Sequence, residues 1–190
     1  TRYFTSLLEV AQEDLVFAED LVAPVVLPLP GGKTLKIGPL ICEDSWDDNY
    51  SFKPMQYLQK QYGVDLFINI SNSPFTLGKT QRRHRLFGKA IDDLQAPALY
   101  VNCTGIQNNG KNVFTFDGAS GAYNKDGSLQ YECDLFQEEL AIVDFDEDAH
   151  AFVSPVKRNE PQAEAGEIYA SLHYGLQSFL ESTGLKKVVL

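Results

Sequence analysis

TLKIGPLICEDSWDD, residues 34–48, holds the pattern around which the rest of the chain can be placed. Its first half is rich in β-formers and runs through Gly-Pro into an apolar Leu-Ile pair, which predicts a strand. Cys42 and two acids follow at once. A strand that ends on a thiol and then turns sharply can present a nucleophile. Spacing alone slightly favours a plain buried cysteine, because Cys is among the most buried residue types.

Strands and helices alternate on both sides of this stretch. Gly31 and Gly32 supply the positive φ values of a tight hairpin between a strand at 25–30 and the strand that leads to Cys42. Further along, hydrophobic spacing predicts a helix over 53–62, a strand over 65–70, a helix over 79–95 and a strand over 97–102. So close an alternation predicts a layered α/β sheet.

Turn-forming pairs become frequent after residue 102 and predict a meander of short strands at the edge of that sheet. The predicted strands cover 113–116, 119–123, 128–131 and 139–145. A linker over 152–166 then leads to an amphipathic helix ending at Gly184, with an apolar face of Ile168, Leu172, Leu176 and Phe179. Residues 186–190 predict one more strand, and residues 1–5 resemble the middle of a loop.

Charge and hydropathy narrow the classes of function. The net charge of −10 argues against nucleic acid and anionic membrane surfaces as partners. The acidic stretch 132–148 is expected to be solvated. No apolar run reaches the length of a membrane span, and the first residues do not resemble a signal peptide. These features predict a cytoplasmic protein.

The cysteines and histidines do not form a metal-binding pattern. Cys42, Cys103 and Cys133 are far apart and odd in number, as expected of reduced thiols in the cytosol. Cys103 and Cys133 are expected to lie in the core or in strands. The histidines, at positions 84, 150 and 173, are equally scattered. We therefore expect no metal site.

Several motifs together resemble one enzyme family. LICED at 40–44, followed by Trp46, is similar to the nucleophile segment of the nitrilase superfamily of carbon–nitrogen hydrolases. NISNSPFTLGK at 69–79, YVN at 100–102 and FDGAS at 116–120 occur in the order shown by the glutamine-dependent NAD synthetases.

The resemblance implies an α/β fold: a nitrilase-like α-β-β-α sandwich, present here as its C-terminal half, plus a helical linker. Residues 1–150 would belong to the glutaminase domain. Residues 151–190 would form the linker helix and first strand of the synthetase (ligase) domain.

The resemblance also implies roles for individual residues. Cys42 is the expected nucleophile towards the side-chain amide of glutamine, and the backbone N–H of Glu43 is the expected oxyanion donor. Ser73 and Lys79 match positions that contact bound glutamine.

The family's catalytic glutamate and lysine lie upstream of residue 1. Neither Glu9 nor Lys36 stands in their motifs. We therefore expect the 190-residue fragment to be inactive on its own.

The resemblance implies a larger reaction for the parent enzyme. Ammonia from glutamine would amidate nicotinic acid adenine dinucleotide to NAD, with ATP and Mg²⁺ bound in the ligase domain and no cofactor in the fragment. The expected partners are glutamine, the missing N-terminal part of the glutaminase domain, the synthetase domain and further copies in a homo-oligomer.

Some side chains near the motifs have more than one interpretation. Basic residues crowd the start of the helix at 79–95, where cations oppose the helix dipole. A carboxylate from a ligand or from the protein at the helix start would neutralise them. The nearby Asp92 and Asp93, or the acidic tail, would do so equally well. A Cys42–His84 dyad is a weaker alternative, because it needs an orienting Asn or Asp.

The residues that follow Cys42 also remain open to interpretation. The Glu43 side chain is expected to be solvated or ion-paired. Asp44, Asp47 and Asp48 are expected to be exposed loop acids, and Trp46 fits either the core or a pocket.

Two other functions fit the sequence. One is a stand-alone nitrilase-type amidase, against which the C-terminal linker, helix and strand argue. The other is a non-catalytic interaction module with a buried cysteine.

Overall fold

Three parallel strands joined by two helices form the centre of the fold. In the computed structural model, residues 7–14, 17, 21–46, 50–187 and 189 are described. The central elements in chain order are β2 (Thr34–Ile41), α2 (Pro54–Tyr62), β3 (Leu66–Ser71), α3 (Lys79–Leu94) and β4 (Ala98–Asn102). Gly63 ends α2 in the left-handed conformation that glycine favours. The predicted α/β alternation is confirmed.

Antiparallel strands extend the sheet on both sides. The sheet has six strands in the order β1-β2-β3-β4-β7-β8. The flanking strands are β1 (Val25–Pro28), β7 (Gly121–Tyr123) and β8 (Leu129–Glu132). The predicted hairpin into β2 and the predicted edge position of β7 and β8 are both confirmed.

Two strand pairs lie outside the main sheet. The first joins β5 (Thr104–Asn108), which the sequence did not predict, to β6 (Val113–Asp117). The second joins β9 (Phe145–Asp146) to β10 (Ala151–Phe152). The predicted strand over 139–145 is therefore wrong except at its last residue. The meander is divided among three sheets rather than one.

The two faces of the main sheet are covered unequally. On one face, Leu40, Phe67 and Tyr100 pack against α2 and α3 in a continuous core. On the other face, the strand starts pack against the segment around Phe145 and Phe152. At the strand ends this second face is open. Ile41, Ile70 and Val101 lie side by side in register there and are 71%, 63% and 45% exposed.

The last helix, α4 (Glu164–Thr183), lies against the β5–β6 hairpin. Its existence and its end at Gly184 are as predicted. The orientation of α4 differs from the prediction, because most of the predicted apolar face points outwards. Ile168, Leu172 and Leu176 are 44%, 68% and 58% exposed. The contact uses small residues instead. The Ser171 and Thr115 hydroxyls lie 2.7 Å apart, and a Cβ on Gly175 would come within 2.8 Å of Thr115.

The chain termini differ from the sequence prediction in two places. Helix α1 (Leu7–Asp14) was not predicted. Residues 185–187 have no regular structure, so the predicted last strand is not observed there. Residues 1–5, Val188 and Leu190 lie outside the described residues. None of the helices within the described ranges is long and apolar enough to cross a bilayer.

Candidate active site

Cys42 lies at the carboxyl end of β2, where the chain enters a single 3₁₀ turn, Cys42–Ser45. Its φ is +44°, in the left-handed region that residues with a Cβ rarely adopt. The Asp44 carboxylate accepts a hydrogen bond from the Ile41 backbone N–H at 2.8 Å and fixes the turn. Asp44 was expected to be an exposed loop acid. It is instead half-buried, and burial raises its pKa.

The residues that follow Cys42 differ in burial and in their partners. Glu43 comes first after Cys42, so its backbone N–H lies in the turn itself. Its side chain is exposed and accepts a hydrogen bond from the Tyr50 hydroxyl. Trp46 is partly buried and lies under the Arg82 guanidinium, 5.9 Å from the ring centre. Asp47 and Asp48 lie outside the described residues.

Asn69, in the middle of β3, forms hydrogen bonds with the Cys42–Ser45 turn. Its side-chain amide donates to the Cys42 carbonyl at 3.2 Å and to the Ser45 hydroxyl at 2.5 Å. Ser71 donates to its amide oxygen at 2.5 Å. The side chain is fully buried. The sequence analysis gave Asn69 no role, although a polar residue inside an otherwise apolar strand is the kind of feature that marks such a support.

Ser73 is held by a second buried network, centred on Asn102. The Asn102 amide oxygen accepts from the Ser73 N–H at 2.9 Å, and its amide nitrogen donates to Asp117 at 3.2 Å. Asp117 also accepts from Thr80, on the first turn of α3, at 3.2 Å. All these strand ends meet at one edge of the sheet, so Ser73 lies at the same edge as Cys42.

Lys79, the first residue of α3, faces this edge. Its ammonium donates to the Pro74 carbonyl at 2.8 Å and is half-buried. Burial lowers its pKa, while the Asp117 carboxylate and the Cys42 thiol act in the opposite direction. Lys79 therefore stands at the same edge of the sheet as Cys42 and Ser73.

Two carboxylates of the protein lie at the start of α3. Arg83 is buried against Asp117, 3.5 Å away, and stacks on Tyr100. Glu167 of α4 accepts from the Gly78 N–H at 3.2 Å and so supplies the anion at the helix N-terminus. The protein itself therefore supplies a carboxylate to Arg83, through Asp117, and an anion to the N-terminus of α3, through Glu167.

His84 faces away from the Cys42 turn. Its Nδ1 lies 2.7 Å from the Tyr123 hydroxyl and its Nε2 lies 3.0 Å from Glu132. Both ring nitrogens are therefore taken up on the β7–β8 side of α3, and the Cys42–His84 dyad is wrong. Glu132 was expected to be solvated with the rest of its acidic stretch, but it is buried.

Lys36 also lies outside the site. It stands near the start of β2, about 20 Å from Cys42 at roughly 3.3 Å per residue. Its ammonium donates to the Tyr62 carbonyl at 2.9 Å.

The other two thiols do not pair with Cys42. All three cysteines are free. Cys103 follows β4, donates to the Asn72 side chain, and has a pKa raised by burial. Burial also raises the pKa of Cys133. Among the described residues, the arrangement offers one thiol at a strained strand end, at the sheet edge where Ser73 and Lys79 also lie.

Comparison with known proteins shows the family of the chain. The carbon–nitrogen hydrolase family matches residues 6–152. The glutamine-dependent NAD(+) synthetase of Synechocystis sp. is 32% identical over 165 residues, which cover 83% of this chain and 29% of that protein. The corresponding enzyme of Rhodobacter capsulatus is 28% identical over 167 residues, with 85% and 29% covered. The chain therefore spans less than a third of the length of these relatives.

Two solved structures are similar to this chain in fold. The glutamine-dependent NAD+ synthetase from Acinetobacter baumannii, solved with ADP, superposes with a TM-score of 0.70 at 29% identity, covering 85% of this chain and 28% of that one. A carbon–nitrogen hydrolase from Helicobacter pylori shares the fold, with a TM-score of 0.51 at 18% identity over 62% of this chain and 41% of that one.

Proposed function

The chain belongs to the carbon–nitrogen hydrolase family, and from this premise we propose that it carries the cysteine-bearing part of a domain that hydrolyses the side-chain amide of glutamine. One observation supports this most strongly. Cys42 sits with a positive φ at the end of β2, at the edge of the sheet where Ser73 and Lys79 also lie. Strained backbone at a strand end is where enzymes place nucleophiles.

The chemistry has two stages. The Cys42 sulfur bonds to the amide carbon as the thiol proton passes to a base, and the Glu43 N–H donates to the resulting oxyanion. The C–N bond then breaks, and nitrogen takes up the proton and leaves as ammonia. Water adds to the thioester, which releases glutamate and restores the thiol.

Ser73 and Lys79 would bind the substrate. Glutamine carries a carboxylate at one end and the reactive amide at the other. The Lys79 ammonium suits the carboxylate, because a half-buried cation gains more from an anionic partner than an exposed one does. Asn102 holds the Ser73 backbone, and this would keep that residue aligned with the substrate.

The catalytic base and the catalytic lysine would come from polypeptide outside these residues. The open row of Ile41, Ile70 and Val101 borders Cys42 and suits the second sheet layer of an α-β-β-α sandwich. On this proposal the 190-residue chain is inactive until that layer is present.

The wider setting is proposed by similarity to the synthetases. Ammonia would pass to a ligase domain that uses ATP and Mg²⁺ to amidate nicotinic acid adenine dinucleotide. Residues 151–190 would connect the two domains, in a cytoplasmic homo-oligomer.

The test is thiol labelling of the protein at the full length that its gene encodes. A glutamine-analogue electrophile such as a γ-diazoketone should modify Cys42 selectively, as read by peptide mass spectrometry, and glutamine should protect it. Cys133→Ser should label as the unmodified protein does, and Lys79→Gln should weaken the protection by glutamine.

Other outcomes would contradict the proposal. Protection by a small aliphatic amide but not by glutamine would favour a stand-alone amidase. Absence of labelling at Cys42, or labelling at Cys103 instead, would favour a non-catalytic module.

A further inference from the structure

An asparagine occupies a core position of β3 at which the neighbouring strands carry large apolar residues. Asn69 lies in register between Leu40 of β2 and Tyr100 of β4, on the sheet face that packs against α2 and α3. It is 0% exposed. A buried amide destabilises the fold unless its polar atoms are hydrogen-bonded, so the partners of this side chain indicate its role.

The Asn69 amide gives both of its N–H donors to the Cys42–Ser45 turn. Its nitrogen donates to the Cys42 carbonyl at 3.2 Å and to the Ser45 hydroxyl at 2.5 Å. The Ser71 hydroxyl donates to the amide oxygen at 2.5 Å. This last bond fixes which end of the amide faces the turn.

The Cys42 carbonyl belongs to the same peptide group as the Glu43 N–H. This peptide is planar and trans, so its carbonyl and its N–H point in opposite directions. A bond that fixes the carbonyl towards Asn69 therefore fixes the N–H away from Asn69. A hydrogen bond accepted by the carbonyl also polarises the peptide and strengthens its N–H as a donor.

The turn has another anchor that does not involve Asn69. The Asp44 carboxylate accepts from the Ile41 N–H at 2.8 Å and closes the turn on itself. The positive φ of Cys42 places strained backbone next to the Cys42–Glu43 peptide, and strained conformations persist only where their surroundings hold them. The bond from Asn69 holds that one peptide.

We propose that Asn69 is a positioning residue of the oxyanion hole: its amide aims the Glu43 N–H at the oxyanion that forms when the Cys42 sulfur attacks a carbonyl. This role rests on the proposed function, in which Cys42 is the nucleophile. Asn69 acts through the Cys42–Glu43 peptide and not by contact with the substrate.

Two reactions of the same thiol test the proposal in the protein at the full length that its gene encodes. With p-nitrophenyl acetate, the Cys42 sulfur bonds to the ester carbon, an oxyanion forms, p-nitrophenolate leaves and the thiol proton passes to solvent. With methyl methanethiosulfonate, the Cys42 sulfur bonds to the methylthio sulfur, methanesulfinate leaves and no carbonyl oxyanion forms. Both reactions use the same thiolate, so the ratio of their rates isolates the contribution of the oxyanion donor.

The two rates are measured at Cys42 alone. Initial release of p-nitrophenolate, corrected with Cys42→Ala, gives the rate of acylation. Mass spectrometry of the Cys42 peptide gives the rate of thiolation.

Asn69→Leu nearly keeps the side-chain volume and removes both donors. It should slow acylation about tenfold or more, because a complete oxyanion donor contributes about 10²–10³ in rate. Thiolation should stay within about threefold of the unmodified protein.

Asn69→Asp keeps the shape of the side chain and makes the donor depend on pH. Burial raises the pKa of a carboxyl group, and only its protonated form can donate to the Cys42 carbonyl. The ratio of acylation to thiolation in Asn69→Asp should therefore rise as pH falls. The ratio in the unmodified protein should stay level.

Asn124→Leu is the matched control. The Asn124 amide also holds backbone, because it donates to the Phe152 carbonyl at 3.3 Å and accepts from the Phe152 N–H at 2.7 Å. It follows Tyr123, which pairs with the first residue of β4, so it lies at the end of the sheet opposite Cys42. Asn124→Leu should lower Tm and leave the ratio unchanged.

Three results would overturn the proposal. The first is an unchanged ratio in folded Asn69→Leu or, if that variant does not fold, a ratio in Asn69→Asp that does not depend on pH. The second is equal slowing of both reactions, which would mean that Asn69 holds the whole turn. The third is a fall in the ratio for Asn124→Leu as large as for Asn69→Leu.

Failure of the proposed function gives a different result. An unmodified protein that is acylated at Cys42 but does not hydrolyse glutamine would exclude glutamine as the substrate and leave the role of Asn69 intact. An unmodified protein that is not acylated at Cys42 would exclude both.

Discussion

The backbone of Cys42 is strained, and the strain can be measured separately from the chemistry. At a φ of +44° a Cβ is unfavourable, and glycine has no Cβ. We expect Cys42→Gly to be more stable than Cys42→Ala by about 1 kcal/mol, from denaturant unfolding. Both variants should lose thiol labelling.

The same two substitutions at Cys133, to glycine and to alanine, serve as the control. It is not among the residues with positive φ, so a Cβ there carries no such strain. At Cys133 the alanine variant should be the more stable one, because glycine loses more conformational entropy on folding. A preference for alanine at both positions would show that the turn at Cys42 relaxes and stores no strain.

The polar residues that hold the candidate site were the least predictable from sequence. Cys42, Ser73 and Lys79 stand in motifs, so a resemblance was enough to predict roles for them. Asn69 and Asp117 support the candidate site through partners 15 to 37 positions away, and no local pattern encodes such pairings. A polar residue within a buried strand marks that a partner exists, but only the fold identifies it.

Helix α3 and the turn between β7 and β8 approach so closely that two glycines face each other. A Cβ on Gly88 would lie 2.8 Å from the Gly127 carbonyl oxygen. Gly88→Ala should therefore lower the free energy of unfolding by about 1–3 kcal/mol, although alanine is the better helix former. Thermal or denaturant unfolding measures this.

Gly166, in the first turn of α4, is the matched control. Its nearest neighbour is 3.4 Å from a built Cβ, an ordinary contact. Gly166→Ala should leave stability unchanged or raise it by up to about 1 kcal/mol. Equal effects at the two glycines would mean that the helix and turn are less closely packed than described.

The segment after β8 is tied back by Glu139. Its carboxylate accepts from the Asp134 N–H at 2.9 Å, the Tyr131 hydroxyl at 2.8 Å and the Lys157 ammonium at 2.9 Å. The Asp134 N–H is the largest cause that lowers the Glu139 pKa from its ordinary 4.5 to about 2. Because the folded-state pKa is the lower one, the stabilisation is present above pH 4.5 and disappears as pH falls through about 2.

We therefore predict a pH-dependent effect of Glu139→Gln. At pH 7 it should lower Tm by about 2–4 °C, since a largely exposed cluster contributes at most about 1 kcal/mol. Circular-dichroism melts should show this difference shrinking between pH 4.5 and 2. Glu138→Gln, at the next residue, should match the unmodified chain throughout; a constant difference for Glu139→Gln would exclude the carboxylate as the cause.

Elements with a strong periodic pattern were predictable, and those set by small residues were not. The β2-α2-β3-α3-β4 run follows from long apolar repeats bounded by turn formers. The orientation of α4 was predicted wrongly, because Ser171 and Gly175 contact the β5–β6 hairpin through size rather than hydrophobicity. Strand β5 was missed for a similar reason: Thr104–Asn108 holds only one large apolar residue.

The net charge and the open sheet face have opposite effects on self-association of the chain in solution. The net charge of −10 keeps copies apart, but charge repulsion is screened within about 8 Å at physiological salt. The open row of Ile41, Ile70 and Val101 presents a flat apolar surface that salt does not weaken. The isolated chain should therefore self-associate more as salt rises.

A substitution in the row of Ile41, Ile70 and Val101 tests whether this surface causes the self-association. Ile70→Thr keeps the β-branched shape and removes apolar surface at the centre of the row, so it should reduce association in size-exclusion chromatography with light scattering. Ile142→Thr changes an isoleucine that is even more exposed, at 86%, but lies outside the sheet, and it should have no effect. If both substitutions reduced association equally, exposed apolar area alone would be responsible. An effect confined to Ile70 would identify the open sheet face beside Cys42 as the surface that needs a second layer, and the same substitution should then impair assembly of the full-length protein.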